Sequence, residues 1–217
     1  MSATILLADD HPFVRRGIRN LLEAELDFKV VGEAEDGLQV IQLAEKLQPD
    51  IMVVDLMMPN LNGLEVLKQV GRRSANTRMI VLSMQSADPY VVEAFRSGAI
   101  GYVLKDSAPD ELIHAIRQSL RGIKYLSPKL PERLSNTLAD LKVTEAHDPY
   151  DTLTEREREV FQMASEGKTA SEIAKLLSIS PRTAELHRSR MMDKLGFRSQ
   201  TELVRYAVKR GILPLDF

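Results

Sequence analysis

The sequence predicts an α/β domain built on a parallel sheet, followed by a smaller domain made of helices only. Three observations carry this. Over residues 1 to 122, short runs rich in Val, Ile and Leu alternate with longer stretches of helical spacing; from residue 153 onward only helical spacing remains; and the charge changes sign between these parts. Lys plus Arg stand 13 against 17 acids in residues 1 to 122, 4 against 5 in residues 123 to 152, and 12 against 9 in residues 153 to 217. Only the last part would be drawn to a polyanion, and its excess is small. A length of 217 residues fits two domains, each able to bury a core.

The strand-like runs are TILLA, KVVGEA, IMVVD, RMIVLS and IGYVL. Between them lie PFVRRGIRNLLEAEL, LQVIQLAEKL, GLEVLKQVGRR, PYVVEAFRSG and PDELIHAIRQSLRG, each with an apolar face at helical spacing. Five strands alternating with five helices favour a parallel sheet covered on both faces, with any ligand site at the carboxyl ends of the strands. Residues 123 to 152 break the alternation with Pro128, Pro131 and Pro149 and read as a linker, in which RLSNTLADLK retains the spacing of a short helix. The expected division is therefore 1–122, 123–152 and 153–217. The chain has no cysteine, which removes disulfides and thiolate metal sites and suits a reducing compartment. Neither a signal peptide nor an apolar stretch long enough for a bilayer is visible, so the expected location is the cytoplasm.

Polar residues collect at one edge of the expected sheet. Asp9 and Asp10 end the first run, Asp55 the third, Ser83 the fourth and Lys105 the fifth. Taken singly, an Asp after a strand is more often a helix cap or turn residue, and a Lys there is ordinary surface. Three acids, a hydroxyl and a lysine at chosen strand ends are a different matter. Carboxylates brought together repel and need a cation or shifted pKa values. Oxygen-only ligands suit a hard cation such as Mg²⁺, which uses few carboxylates and keeps several waters. Pro59 and Gly63 in DLMMPNLNG shape a tight loop around Asp55.

The segments ADDHPFVRRG, VVDLMMPNLNG, IVLSM and GYVLKD resemble, in order and spacing, the receiver domain of bacterial two-component response regulators. The resemblance implies a flavodoxin-like sheet of order 2-1-3-4-5. It also implies that Asp55 accepts a phosphoryl group from a sensor histidine kinase. On the same ground Asp10, Asp55 and the backbone carbonyl of Met57, with Asp9 acting through water, hold Mg²⁺; Lys105 contacts the phosphoryl oxygens, Ser83 hydrogen-bonds them, and Tyr102 is the aromatic switch. A half-buried strand aromatic is the plain alternative for Tyr102.

The last part reads LTEREREVFQMASEG, with Thr154 and Glu157 forming a capping box, then KTASEIAKLLSIS, then SPRTAELHRSRMMDKLG capped by Ser180 with Pro181 at its first position, then SQTELVRYAVKRG. At 100° per residue Ala184, His187, Met191 and Leu195 share one face of the third helix. Arg182, Glu185, Leu186, Ser189, Arg190 and Asp193 share the other, which alone would pass for a solvated face. This part resembles the LuxR-type helix-turn-helix, and receiver plus this module resembles the NarL/FixJ family of response regulators. The resemblance implies double-stranded promoter DNA as a partner. Arg182, Glu185, Leu186, Ser189 and Arg190 then face the groove, Lys168, Thr169 and Thr183 lie at phosphates, and Arg188 reaches phosphate from nearer the core. Ala170 and Ser171 replace the usual Asn-Lys, Ala184 a usual Val, and Glu185 stands where many members carry Lys; a glutamate accepts from a cytosine amino group.

The resemblance also implies a homodimer on activation through Leu203, Val204, Ala207 and Val208, a stripe that could equally close the small domain's core, with RNA polymerase as a further partner it allows. The expected function is a phosphorylation-controlled transcription factor rather than an enzyme, the receiver catalysing only its own phosphorylation and dephosphorylation. Two rivals stand beside it. A phosphatase acting through an aspartyl phosphate needs a second acid two residues after the nucleophile, where this chain has Met57; a dinucleotide enzyme needs a Gly-rich turn that ADDHPFVRRG lacks. A phosphorylation-independent DNA-binding protein that uses its receiver only to dimerise is the alternative within the same fold.

Overall fold

The computed structural model describes residues 2–139 and 149–213, and the chain divides into two compact units, Met1–Thr144 and Glu145–Phe217. In the first unit the order is β1 (Ala3–Ala8), α1 (Pro12–Glu23), β2 (Phe28–Ala34), α2 (Gly37–Leu47), β3 (Ile51–Val54), α3 (Gly63–Arg73), β4 (Arg78–Ser83), α4 (Asp88–Arg96), β5 (Ala99–Leu104) and α5 (Pro109–Leu120). Every strand pairs in parallel, in the order β2-β1-β3-β4-β5 and then a sixth strand, β6 (Tyr125–Leu126), beyond β5. Strands β1, β3, β4 and β5 are buried over most of their length, which is why they read as continuous apolar runs and not as alternating ones.

Because side chains alternate across a strand, the sheet divides the core in two. Leu6, Met52, Val54, Val81 and Tyr102 meet α2, α3 and α4, through residues such as Val40, Leu67 and Phe95. Ile5, Leu7, Val53, Ile80 and Val103 meet α1 and α5, through Leu22, Ile113 and Ile116.

The sixth strand lies where the sequence predicts linker, ahead of the short helix expected in RLSNTLADLK. Tyr125–Leu126 form β6, pairing with Gly101 and Tyr102 of β5, and Arg133–Ala139 form α6. Pro128 and Pro131, read as breakers, punctuate this segment without detaching it. Leu130, Leu134 and Leu138 are buried in the same cluster as α4 and Tyr102, and that burial outweighs the local signal. The rest of the RLSNTLADLK stretch and residues up to 148 lie outside the described residues.

The second unit opens with a 3₁₀ turn at Pro149–Thr152, followed by α7 (Glu155–Ser165), α8 (Ala170–Leu177), α9 (Pro181–Leu195) and α10 (Gln200–Lys209). The expected capping box at Thr154 and Glu157 is present, and two more form, Thr169 with Glu172 and Ser199 with Glu202. Each ties two orphan backbone N–H groups at a helix start. Val160, Phe161, Ile173, Ala184, Met191, Leu203 and Ala207 form the small core. Edge-to-face ring pairs run from Tyr150 to Phe161 (5.2 Å), Phe161 to Tyr206 (6.0 Å) and Tyr206 to Phe197 (5.2 Å). His187 is only half-buried, unlike its face-mates Ala184 and Met191.

Candidate functional site

Parallel pairing brings the ends of β1, β3, β4 and β5 level. Ala8 pairs with Val54, Val54 with Val81, and Ser83 with Leu104, so Asp9, Asp55 and Lys105 each emerge one residue beyond a paired position. Backbone bonds continue past the strands and fix these residues: Asp55 N to Ala8 O at 2.9 Å, and Lys105 N to Ser83 O at 3.0 Å. The loop after Asp55 is pinned by Gly63, whose missing side chain lets α3 begin against it; a Cβ there would stand 2.3 Å from the Asp55 carbonyl oxygen.

Asp9 and Asp55 are buried, and the ammonium of Lys105 lies between them, 2.7 Å from Asp9 Oδ2 and 2.6 Å from Asp55 Oδ2. Asp55 Oδ1 accepts from Met57 N at 3.3 Å. Burial raises the Asp55 carboxyl above the usual carboxylate range, with Asp9 adding to the rise against the pull of Lys105. Burial alone would lower Lys105, but Asp55 and Asp9 outweigh it, and the ammonium is held above its ordinary value.

Asp10 completes the acidic set, and His11 joins it: ligand atoms of Asp9, Asp10, His11 and Asp55 lie within 4.8 Å of one another. His11 Nδ1 is 2.7 Å from Asp10 Oδ1 and 3.4 Å from Asp9 Oδ1, while its backbone N–H donates to Asp9 Oδ1 at 2.9 Å. No periodicity or spacing in the sequence signals this histidine, because its contacts arise within one tight loop. Asp9 Oδ2 and Asp10 Oδ1 are both buried, the first facing the Lys105 ammonium and the second His11 Nδ1. Such acceptors, together with three carboxylates offset by one lysine, leave a local charge of about −2, which suits a hard divalent cation.

Ser83 Oγ accepts from Gln85 N at 3.3 Å, and Tyr102 OH donates to Gln85 O at 2.6 Å. Tyr102 is fully buried, not half-buried, and burial pushes its hydroxyl well above the ordinary tyrosine value.

In the second unit α9 presents Arg182, Glu185, Leu186, Ser189 and Arg190 to solvent, and Leu186 is 47% exposed. Among the described residues neither Arg182 nor Arg190 has an acidic partner. The remaining candidates are engaged: Arg188 Nη2 donates to Gln200 Oε1 at 3.1 Å, Thr183 Oγ1 meets Ser180 Oγ at 2.7 Å, Lys168 pairs with Glu166, and Thr169 caps α8. Of the apolar stripe on α10, Leu203 and Ala207 are fully buried in the unit's own core, and Val204 and Val208 are half-buried.

The sequence model described as "Response regulator receiver domain" matches residues 5–117, and that described as "Bacterial regulatory proteins, luxR family" matches residues 151–207. The nitrate/nitrite response regulator protein NarL of Escherichia coli strain K12 is 39% identical over 200 residues, covering 92% of each chain. The chain belongs to the NarL/FixJ family of response regulators.

Other relatives match over nearly the whole chain. The oxygen regulatory protein NreC of Staphylococcus carnosus is 35% identical over 213 residues, covering 96% of this chain and 98% of its own. A structure of an RcsB–DNA complex superposes with a TM-score of 0.57 at 30% identity, covering 97% of this chain and 99% of that one. A structure described as two RcsB dimers bound to two parallel DNAs gives 0.58 at the same identity and coverage. The protein is thus a two-component response regulator that joins a receiver domain to a LuxR-type DNA-binding domain, as its relatives among transcriptional regulators do. No helix among the described residues is long and apolar enough to cross a membrane.

Proposed function

We propose that this regulator is a cytoplasmic transcription factor switched by phosphorylation of Asp55, with a sensor histidine kinase as donor and promoter DNA as target. The observation that carries the proposal is the convergence of Asp9, Asp10 and Asp55 on one point, with Lys105 bridging two of them. Asp10, Asp55 and the Met57 carbonyl would hold Mg²⁺, with Asp9 acting through water; the bound cation would neutralise and orient the phosphoryl group.

The chain's own groups supply the rest. An Asp55 carboxylate oxygen attacks phosphorus, the phosphorus–nitrogen bond to the kinase imidazole breaks, and the product is an acyl phosphate on Asp55. Lys105 is already at hydrogen-bond distance from Asp55 Oδ2 and would move onto a phosphoryl oxygen. The Ser83 hydroxyl would donate to another, leaving its bond from Gln85 N, and Tyr102 would follow through its bond to Gln85 O.

The DNA-facing set on α9 is Arg182, Glu185, Leu186, Ser189 and Arg190, with Lys168, Thr169, Thr183 and Arg188 toward phosphates. Glu185 would accept from a cytosine amino group. Activation would pair two copies, and Val204 and Val208 are the residues of the α10 stripe with surface left for a partner. Incubation with acetyl phosphate in Mg²⁺ followed by intact-mass measurement should add one phosphoryl group to the wild type and none to Asp55→Asn. Full labelling of that variant would assign the chemistry to another residue. Selection of genomic fragments with and without beryllofluoride should give enrichment that depends on the mimic; equal enrichment would remove phosphorylation as the control.

A further inference from the structure

His11 occupies the N-cap of α1, a seat that Ser, Thr, Asp and Asn usually fill because their side-chain oxygens accept a backbone N–H of the first turn. Asp36 and Asn62 do this for α2 and α3. The His11 side chain makes no such bond and turns to the acids instead, with Nδ1 2.7 Å from Asp10 Oδ1 and 3.4 Å from Asp9 Oδ1. Its backbone is held on both sides: His11 N donates to Asp9 Oδ1 at 2.9 Å, and His11 O accepts from Arg15 N at 3.0 Å. Helix α1 therefore forgoes a stabilising cap and places an imidazole beside the pocket.

The members of the cluster differ in how they are engaged. Asp9 and Asp55 share the Lys105 ammonium, and each accepts a backbone N–H, from His11 and Met57. The Asp10 carboxylate meets only His11 among the described residues, although its Oδ1 is buried. One nitrogen and three carboxylate oxygens, from four residues, thus lie within 4.8 Å of one another. Ligands about 2.1 Å from an ion in octahedral geometry stand roughly 3 Å apart when adjacent and about 4.2 Å apart when opposite. The four atoms need close by little to surround one cation, and the His11 side chain, 65% exposed, has room to tilt toward it.

We propose that His11 is a nitrogen ligand of this cation site and that the pocket binds a first-row transition ion of the Co²⁺ and Ni²⁺ kind more tightly than Mg²⁺. This rests on the assignment of the Asp55 pocket above, in which every cation ligand is an oxygen. Mg²⁺ favours oxygen and gives up its water reluctantly, so a neighbouring imidazole adds little to its affinity. Co²⁺ and Ni²⁺ lie higher in the divalent series and accept imidazole readily. Preference then comes from one side chain: the carboxylates serve both classes of ion, whereas Nδ1 serves only the second. The chain has no cysteine, so no thiolate within it competes for such an ion.

Isothermal titration calorimetry of the full chain with Co²⁺ and with Mg²⁺ tests this. His11→Ser supplies the missing cap oxygen and so keeps the start of α1. It should cut the ratio of Co²⁺ to Mg²⁺ affinity by about tenfold or more, since even groups that only hydrogen-bond to a metal's ligands are worth about 10–100-fold. Asp10→Asn, which weakens a ligand common to both ions, should lower both affinities and leave the ratio near its wild-type value. Proton NMR of the wild type with Co²⁺ should show hyperfine-shifted imidazole resonances that vanish in His11→Ser. Equal affinity of the wild type for the two ions, a ratio unchanged by His11→Ser, or shifted resonances that survive it would each overturn the ligand and leave the Asp55 pocket in place. Absence of beryllofluoride uptake by the wild type in Mg²⁺, read by ¹⁹F NMR, overturns both.

Discussion

Gly63 and Gly71 lie about two turns apart on α3, and the same substitution at each should act with opposite sign. At Gly63 an added Cβ would stand 2.3 Å from the Asp55 carbonyl oxygen and 2.8 Å from Leu56 Cα, both backbone atoms. Ordinary contact between heavy atoms begins near 3.5 Å, so the helix start and the Asp55 loop must part by about 1 Å. Forcing a packed region apart in this way costs about 1–3 kcal/mol, and neither atom can rotate aside. At Gly71 the nearest atom would be the flexible Met79 Cε at 3.7 Å, an ordinary contact, and alanine there should stabilise by about 0.5–1 kcal/mol through helix propensity. Urea unfolding of both variants measures the difference, and ¹⁹F NMR of beryllofluoride binding measures what displacement of Asp55 does to the pocket. Gly63→Ala should lose affinity for the mimic by up to about 100-fold, the usual scale for a 1 Å misplacement, while Gly71→Ala keeps it. A Gly63→Ala protein as stable and as competent as Gly71→Ala would refute the claim that close approach of α3 positions the acceptor.

Leu203→Ala should lower the stability of the DNA-binding unit by about 2–5 kcal/mol at any protein concentration, read by thermal unfolding; a loss that fades on dilution would return Leu203 to a subunit interface. Arg190→Ala should weaken specific DNA binding by about 1–3 kcal/mol and relax preference at one base position in a fluorescence titration, whereas an equal loss on all sequences would assign it to phosphate. Acid should weaken the three capping boxes of the second unit together. Backbone N–H donors hold Glu172 and Glu202 below the usual carboxylate range; at Glu157 burial opposes the shift, but Lys194 and Thr154 prevail. Folded values below unfolded ones give stability that is complete above the usual carboxylate range and lost as pH falls through the lowered values. Circular dichroism of Glu172→Gln should therefore show a shallower acid transition than wild type.

Strand ends were legible because buried parallel strands need unbroken apolar runs, so that Asp9, Asp55 and Lys105 stand out where each run stops. The α7 capping box was legible from Thr154 and Glu157 alone, and the same local pattern recurs at Thr169 and Ser199. RLSNTLADLK showed the spacing of the helix that forms there, but β6 and the docking of this segment were not legible, because Pro128 and Pro131 are strong local signals whereas the burial of Leu130, Leu134 and Leu138 depends on α4, some 40 residues earlier in the chain. The α10 stripe had two readings in sequence because helical spacing identifies an apolar face without naming what covers it. Packing assigns Leu203 and Ala207 to the domain's own core. His11 left no trace in the pattern, since proximity of side chains within a loop has no period.

The sixth strand also bears on solubility. A parallel sheet ending at β5 would present that strand's unpaired N–H and C=O groups to other chains, and such edges template aggregation. Two residues of β6 cover Gly101 and Tyr102, and the leucines beyond them cover α4. A receiver cut at residue 122, where the alternation of strands and helices stops, would therefore carry both a bare edge and a bare apolar face. One that runs through Ala139 keeps its own gatekeeper.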